Sequence, residues 1–306
     1  MTTKHFISIN DLSAAEINRL IQSAISLKKG PSTPLLKGKT LGMIFQKPSM
    51  RTRVSFDVAM YQLGGHAIDL QQAEVGIGSR ESAADVARVM SRYVDAIMAR
   101  VFNHSVLTDL AKYATVPVIN GLSDVEHPCQ ALADLMTIVE LKGKLKGLVI
   151  AYIGDGNNCA ASLALGAVAL GAEVRIASPK GYWLSNDARA KITEAAAKTG
   201  AVLLYTDDPR KTARGADVIY TDVWTSMGQE AEAQERRRSF AGYQVNPSLL
   251  AMAKPDAIFM HPLPAHYGEE VSSGIMEDRR AVVFQQAENR LHAQKALLVN
   301  LLKNSQ

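Results

Sequence analysis

Lys47-Pro48-Ser49-Met50-Arg51-Thr52-Arg53 places two hydroxyls and a guanidinium at the start of an apolar-periodic stretch. A helix start offers unpaired backbone N–H groups and the positive end of the macrodipole, and together these bind phosphate. Ser49 and Thr52 would add hydroxyl donors, and the Arg51 fork would add bidentate contacts to phosphate oxygens. The other reading is a capped helix with solvated arginines. Arg100, closing the run DAIMAR, could bring a further cation to the same anion. His127-Pro128-Cys129-Gln130 opens another helix, with Pro128 suited to its first turn. His127 and Gln130 are three apart and can aim at one oxygen, as donors that polarise a carbonyl. A capping histidine is the alternative. Cys129 is next to His127 but does not face it on a helix, so a Cys–His nucleophile is disfavoured.

Gly154-Asp155-Gly156-Asn157-Asn158 starts like a dinucleotide fingerprint, but Cys159 stands where the third glycine belongs, which argues against a nicotinamide site. Its adjacent amides suit a carboxylate or amino group, or simply an Asx-type turn. Asp222-Val223-Trp224-Thr225-Ser226-Met227-Gly228 supplies a carboxylate for an ammonium group and a loop with Gly228 as a candidate hinge. For Asp222 the alternative is a helix cap. His261-Pro262-Leu263-Pro264 follows the run AIFM.

The elements that must position these residues read as an alternation. Short β-rich runs at 41–45, 66–70, 95–99 and 116–119 are separated by helical stretches, as are those at 148–154, 173–178, 202–206, 217–222 and 257–261. That is the pattern of parallel βαβ units. In such sheets ligands bind beyond the carboxyl ends of the strands, where all these clusters fall. Ser13 and Glu16 form a capping box that starts the first helix, and Gly30 ends it. The helix after Thr52 carries Val54, Val58 and Tyr61 on one face. The glycine-punctuated segment 141–147 interrupts the series. The expectation is therefore an α/β protein of two doubly wound parallel-sheet domains, 1–140 and 148–286, joined by interdomain helices. The amphipathic stretch 287–304 would pack back on the first domain.

Composition narrows the function classes. The 306 residues, 47% hydrophobic and 21% charged, suit a folded enzyme-sized chain, and a net charge of +4 is too diffuse for nucleic acid. The run Arg236-Arg237-Arg238 lies among Glu230, Glu232 and Glu235 and reads as a solvated helix face. No apolar run approaches the roughly 20 residues needed to span a bilayer. Two cysteines form no disulfide framework, and the start MTTKHFISIN lacks a signal-peptide pattern, so a cytoplasmic location is expected.

Ser49-Met50-Arg51-Thr52-Arg53, His127-Pro128-Cys129-Gln130, His261-Pro262-Leu263-Pro264 and Ala287-Glu288-Asn289-Arg290 occur in the order seen in the aspartate/ornithine carbamoyltransferase family, and the resemblance spans essentially the whole chain. Asp155–Asn158 and Asp222–Gly228 resemble its ornithine branch, in which the Ser-Met-Gly loop closes over the amino-acid end of ornithine. The resemblance implies that Ser49, Arg51, Thr52 and the N–H of Met50 hold the phosphate of carbamoyl phosphate, with Arg100 at the phosphate or bridging region. It implies that His127 and Gln130 hold the carbamoyl end, that Arg290 returns to this site from the last helix, and that Pro262 and Leu263 border it. Asn158, Asp222, Ser226 and Met227 would hold ornithine. The family needs no metal or organic cofactor, and its basic unit is a homotrimer. The implied reaction carbamoylates the δ-amine of L-ornithine within arginine metabolism. Aspartate, putrescine and N-acetylornithine are rival acceptors, and a non-catalytic anion-binding relative is a rival from another class.

The chain departs from the branch at three places. Met50 replaces the usual Thr. Gly76, in a stretch that would come from a neighbouring subunit, replaces a frequent Gln. Pro262, an aspartate-branch residue, replaces the Cys of His-Cys-Leu-Pro.

Overall fold

Local signals set most of the elements. Ser13 caps α1 (Ala14–Lys29): its side chain accepts from the Glu16 N–H while Glu16 reaches back to the Ser13 N–H. Ile17, Leu20, Ile21 and Ala24 form the buried stripe of that helix. The computed structural model describes residues 4–226 and 228–303. Within these the chain divides into two units, Met1–Met136 with Glu288–Gln306, and Thr137–Ala287.

In the first unit β1 (Thr40–Phe45) leads into α2 (Met50–Gln62) and β2 (His66–Gln71) into α3 (Gln72–Val75) and α4 (Ala83–Tyr93). There follow β3 (Ala96–Arg100), α5 (His104–Tyr113), β4 (Val118–Leu122) and α6 (Pro128–Lys142). The strands form one parallel sheet ordered β2-β1-β3-β4. Ile44, Ile97, Ala99 and Val118 pack with Val86, Leu107 and Leu110 of the helices in its core. Phe6 bridges to Ile119, which ties the N-terminal segment to the sheet edge.

The second unit runs β5 (Val149–Ile153), α7 (Asn158–Ala169), β6 (Glu173–Ala177), α8 (Asn186–Thr199), β7 (Leu203–Thr206) and α9 (Pro209–Ala213). It continues through β8 (Val218–Tyr220), α10 (Ala233–Ser239), α11 (Pro247–Leu250) and β9 (Ile258–Met260) to α12 (Val283–Lys303). Its parallel sheet is ordered β7-β6-β5-β8-β9. Ile153, Ile219 and Phe259 pack with Trp224, Phe240, Leu250 and Val283.

The expected α/β class, with parallel sheets in two domains, is therefore the observed one, and each expected β-rich run holds a strand. The division between units differs in detail. It falls inside α6, between Met136 and Thr137, rather than in the segment 141–147, because the helix runs on to Lys142 before Gly143 ends it at φ 75°. Both α6 and α12 run across a division point. Two readings of helix faces need correction. In α2 the buried face is Thr52, Phe56, Ala59 and Met60, while Val54 and Tyr61 are exposed. In α10, Arg236 is buried, and only Arg237 and Arg238 are solvated.

Both sheets have a topological switch point. In the first, β2 lies to one side of β1 and β3 to the other; in the second, β6 and β8 flank β5 in the same way. Chain leaving the carboxyl ends of the two central strands at such a point must part to opposite faces, and a crevice opens between them. The polar clusters lie in the loops after β1 and β4, with Arg100 at the end of β3, and in the loops after β5, β8 and β9.

Candidate active site

The first cluster is built on the switch point of the four-stranded sheet. Phe45 and Arg100 are paired across β1 and β3, so the loop toward Ser49 and the side chain of Arg100 leave adjacent strand ends. Ser49 is the N-cap of α2, its hydroxyl accepting from the Thr52 N–H at 3.3 Å. Met50 opens the helix with an exposed side chain, while Thr52 is buried. His127 precedes Pro128, the first residue of α6, and its carbonyl accepts from the N–H groups of Gln130 and Ala131. From α12, Arg290 reaches in: Nη1 donates to Gln130 Oε1 at 2.8 Å and Nη2 to Thr52 Oγ1 at 3.2 Å. The Gln130 amide in turn donates to Asp134 Oδ1 at 2.8 Å, one helical turn on. Arg100, His127, Gln130 and Arg290 are all buried.

Charge in this cluster is lopsided. His127 is held well below the usual imidazole range, by burial first and then by Arg290, Arg100 and Arg51. The imidazole is therefore neutral near pH 7 and works as a hydrogen-bond partner, while the arginines carry the positive charge. Arg100 and Arg290 are buried and Arg51 is half-buried, surroundings that favour an anion. Cys129 is excluded as a nucleophile: its thiol donates to the Asn120 carbonyl, and burial pushes it up to about 12.

The second cluster stands at the switch point of the five-stranded sheet. Asn157 is the N-cap of α7, its Oδ1 accepting from the N–H groups of Cys159 and Ala160. Its amide donates to Asp222 Oδ2 at 2.8 Å, which ties the loop after β5 to the loop after β8. Asp222 is buried and caps no helix; its Oδ1 instead accepts from the Val223 N–H. Asn158, half-buried, is the first residue of α7. Ser226, also half-buried, donates its N–H to Gln229 Oε1. Met227 lies outside the described residues. Burial pushes the Asp155 carboxyl up to about 7, against the opposing pull of Arg236, with Asp222 and Glu232 adding repulsion.

Pro262 and Leu263 belong to the second unit, in a loop fixed by His261. The His261 Nδ1 accepts from the Leu263 N–H at 2.9 Å, so Nε2 holds the proton and donates to Glu270 Oε1 at 3.2 Å. Leu263 has φ 58°, uncommon for a residue with a side chain. Gly76, in the first unit, also occupies the left-handed region, at φ 63°. A Cβ there would come within 2.7 Å of the Arg80 Cβ, so a residue with a side chain does not fit this turn without a shift.

Sequence reasoning missed Asp134 and Glu270, and read Arg236 as solvated. The four-residue spacing of Gln130 and Asp134 on a helix could have revealed that pair. Glu270 acts on His261 nine residues before it, and Arg236 pairs with Asp155 far away in the sequence.

Comparison with known proteins matches both halves of the chain. Residues 4–140 match the carbamoyl-P binding domain of aspartate/ornithine carbamoyltransferase, and residues 146–301 match its Asp/Orn binding domain. The ornithine carbamoyltransferase of Anoxybacillus flavithermus is 55% identical over 303 residues, covering 98% of this chain and 96% of that protein. That of Bacillus subtilis is 54% identical over 299 residues, covering 98% and 94%. The solved ornithine carbamoyltransferase of Pyrococcus furiosus superimposes with a TM-score of 0.95 at 53% identity, covering 98% of this chain and 97% of that one. With both halves matched in register and likeness of this extent along its length, the chain belongs to the aspartate/ornithine carbamoyltransferase family.

Proposed function

We propose that this protein transfers the carbamoyl group of carbamoyl phosphate to the δ-amine of L-ornithine, giving L-citrulline and phosphate. The observation that carries the reading is the buried arginine cluster around a neutral His127, in which Arg290 bridges Thr52 and Gln130. A dianion with a carbonyl at one end suits that arrangement.

In this reading Ser49, Thr52, the Met50 N–H, Arg51 and Arg100 hold the phosphate. His127, Gln130 and Arg290 hold the carbamoyl end. Asp222 takes the α-ammonium group of ornithine, and Asn158, Ser226 and Met227 complete its binding. The neutral δ-amine attacks the carbamoyl carbon, negative charge gathers on the carbonyl oxygen, and the C–O bond to phosphate breaks. Each preorganised donor at that oxygen is worth about 2.7–4 kcal/mol. An alkyl ammonium has a pKa near about 10.4, so it must shed a proton before attack, and the departing phosphate can accept one. Holding both substrates in line supplies a large share of the acceleration.

The same proposal includes a homotrimer in the cytoplasm. Exposed Met50, Val54 and Tyr61 on α2, with Val89 and Tyr93 on α4, support self-association. Among the described residues no helix is long and apolar enough to cross a membrane.

The test is formation of ureido product from carbamoyl phosphate with ornithine, aspartate, putrescine and N-acetylornithine supplied separately. Citrulline from ornithine is the expected outcome. Turnover of aspartate instead would mean that Pro262 outweighs the loop after β8, and turnover of none would overturn the reading.

A further inference from the structure

Arg236 links the two loops of the second cluster. Its guanidinium is buried, and Nη1 donates to the Trp224 carbonyl at 2.9 Å and to Asp155 Oδ2 at 3.2 Å. Nε donates to Glu232 Oε2 at 3.0 Å, and the guanidinium lies 4.9 Å from the centre of the Tyr182 ring. Tyr182 also accepts from the Gly156 N–H at 2.8 Å through its carbonyl, and a Cβ on Gly156 would come within 2.2 Å of the Leu184 nitrogen. Phe240 backs the arrangement, touching Tyr182 on one side and stacking on Trp224 at 5.5 Å on the other.

One side chain from α10 thus fastens Asp155, at the end of β5, and Trp224, after β8. These flank Asn157 and Asp222, which are themselves joined. A buried arginine satisfied by a carboxylate, a backbone carbonyl and an aromatic face is a fork that lysine cannot copy. Buried ion pairs of this kind contribute little net stability compared with an apolar replacement, so stability alone is a poor reason for this one.

We propose that Arg236 is a positioning residue for the amino-acid acceptor: by fixing the Trp224 carbonyl against Asp155 it sets the spacing of Asp222 and Ser226 from Asn158. This rests on the reading that the acceptor's amino and carboxyl groups bind to these loops. Arg236 touches no reacting atom. Its loss is read in acceptor binding, and carbamoyl phosphate recognition by Arg51, Arg100 and Arg290 of the other unit is left intact.

The experiment compares the full-length enzyme with R236K, R236M and R236M/D155N. Initial rates of citrulline formation give KM for each substrate separately, and thermal unfolding is followed alongside. In a W183F background, Trp224 is the single tryptophan and its emission reports on the loop. R236M is expected to raise the ornithine KM roughly tenfold or more, about 1.4 kcal/mol, with carbamoyl phosphate KM unchanged and Trp224 emission shifted to the red. R236M/D155N removes the unpaired buried carboxylate and recovers thermal stability, but not the ornithine KM. R236K falls between wild type and R236M. Recovery of both stability and ornithine KM in the double variant would overturn the proposal. So would an unmoved ornithine KM or unmoved Trp224 emission in R236M, or parallel rises in both KM values. Absence of citrulline formation by the parent enzyme would instead sink the functional reading, and this proposal with it.

Discussion

Arg290 Nη1 and Gln130 Oε1 meet at 2.8 Å across 160 positions of sequence. The second nitrogen of the same fork reaches Thr52 Oγ1, so one side chain from α12 joins the first turn of α2 to the first turn of α6. Gln130 cannot turn away, because Asp134 accepts its amide hydrogen. The result is a prearranged set of donors whose geometry is established before substrate arrives, and such prearrangement is what electrostatic catalysis requires.

Removing the fork should therefore cost catalysis more than folding. R290M is expected to lower kcat/KM for carbamoyl phosphate by about 2.7–4 kcal/mol, on the order of a hundredfold to a thousandfold. R290K should not restore it, because a single ammonium point charge lacks the fork that reaches Thr52 and Gln130 together. Steady-state rates with carbamoyl phosphate varied at saturating ornithine check both.

The displaced ionisation of His127 makes a prediction about pH. Its folded-state pKa lies well below the unfolded value of about 6.5. Between those values the unfolded chain binds the extra proton, so stability rises with pH through the window and levels off above about 6.5. His127→Asn should flatten that acid limb in unfolding measured from neutral pH downward. A limb that stays unchanged in the variant would assign the acid sensitivity to other groups.

Ser49 is both a helix cap and a proposed phosphate ligand, and two substitutions separate the roles. Ser49→Ala should destabilise by about 1 kcal/mol through the lost cap, and Ser49→Gly by only a few tenths. Both lose the hydroxyl, so both should weaken carbamoyl phosphate binding alike. Unfolding temperature together with carbamoyl phosphate KM tests the pair.

Asp222 should govern the acceptor alone. Asp222→Asn removes a charge-assisted contact worth about 1.5–3 kcal/mol, expected as a rise of roughly tenfold to a hundredfold in ornithine KM. Asn157 can still bond to the new amide oxygen, so the two loops stay joined. Carbamoyl phosphate KM is the control that should not move.

Cys129 should be chemically silent. With its thiol bonded to the Asn120 carbonyl and pushed up to about 12, it offers negligible thiolate at neutral pH. Cys129→Ala should keep kcat of the same order, and alkylation of the native enzyme by iodoacetamide should leave this cysteine unlabelled in a peptide digest.

What the sequence determined by itself was everything governed by neighbours along the chain. The alternation of β-rich runs and helices, the capping box at Ser13 and Glu16, the helix starts at Ser49 and Pro128, and the clusters at strand ends follow from side-chain period and from the unpaired groups of a helix terminus. The resemblance carried by the short motifs added the expected reaction. Tertiary structure decided what depends on pairing across many residues. Nothing local in β1 says that β2 and β3 lie on opposite sides of it, or that β6 and β8 flank β5, yet those orders create both crevices. Arg236 is flanked by charged residues and reads as solvated. It is buried because Asp155 and the Trp224 carbonyl, from elements distant in the chain, pair with it. The exposed Val54 and Tyr61 were likewise beyond reach of the pattern, since periodicity marks an apolar face without naming what covers it.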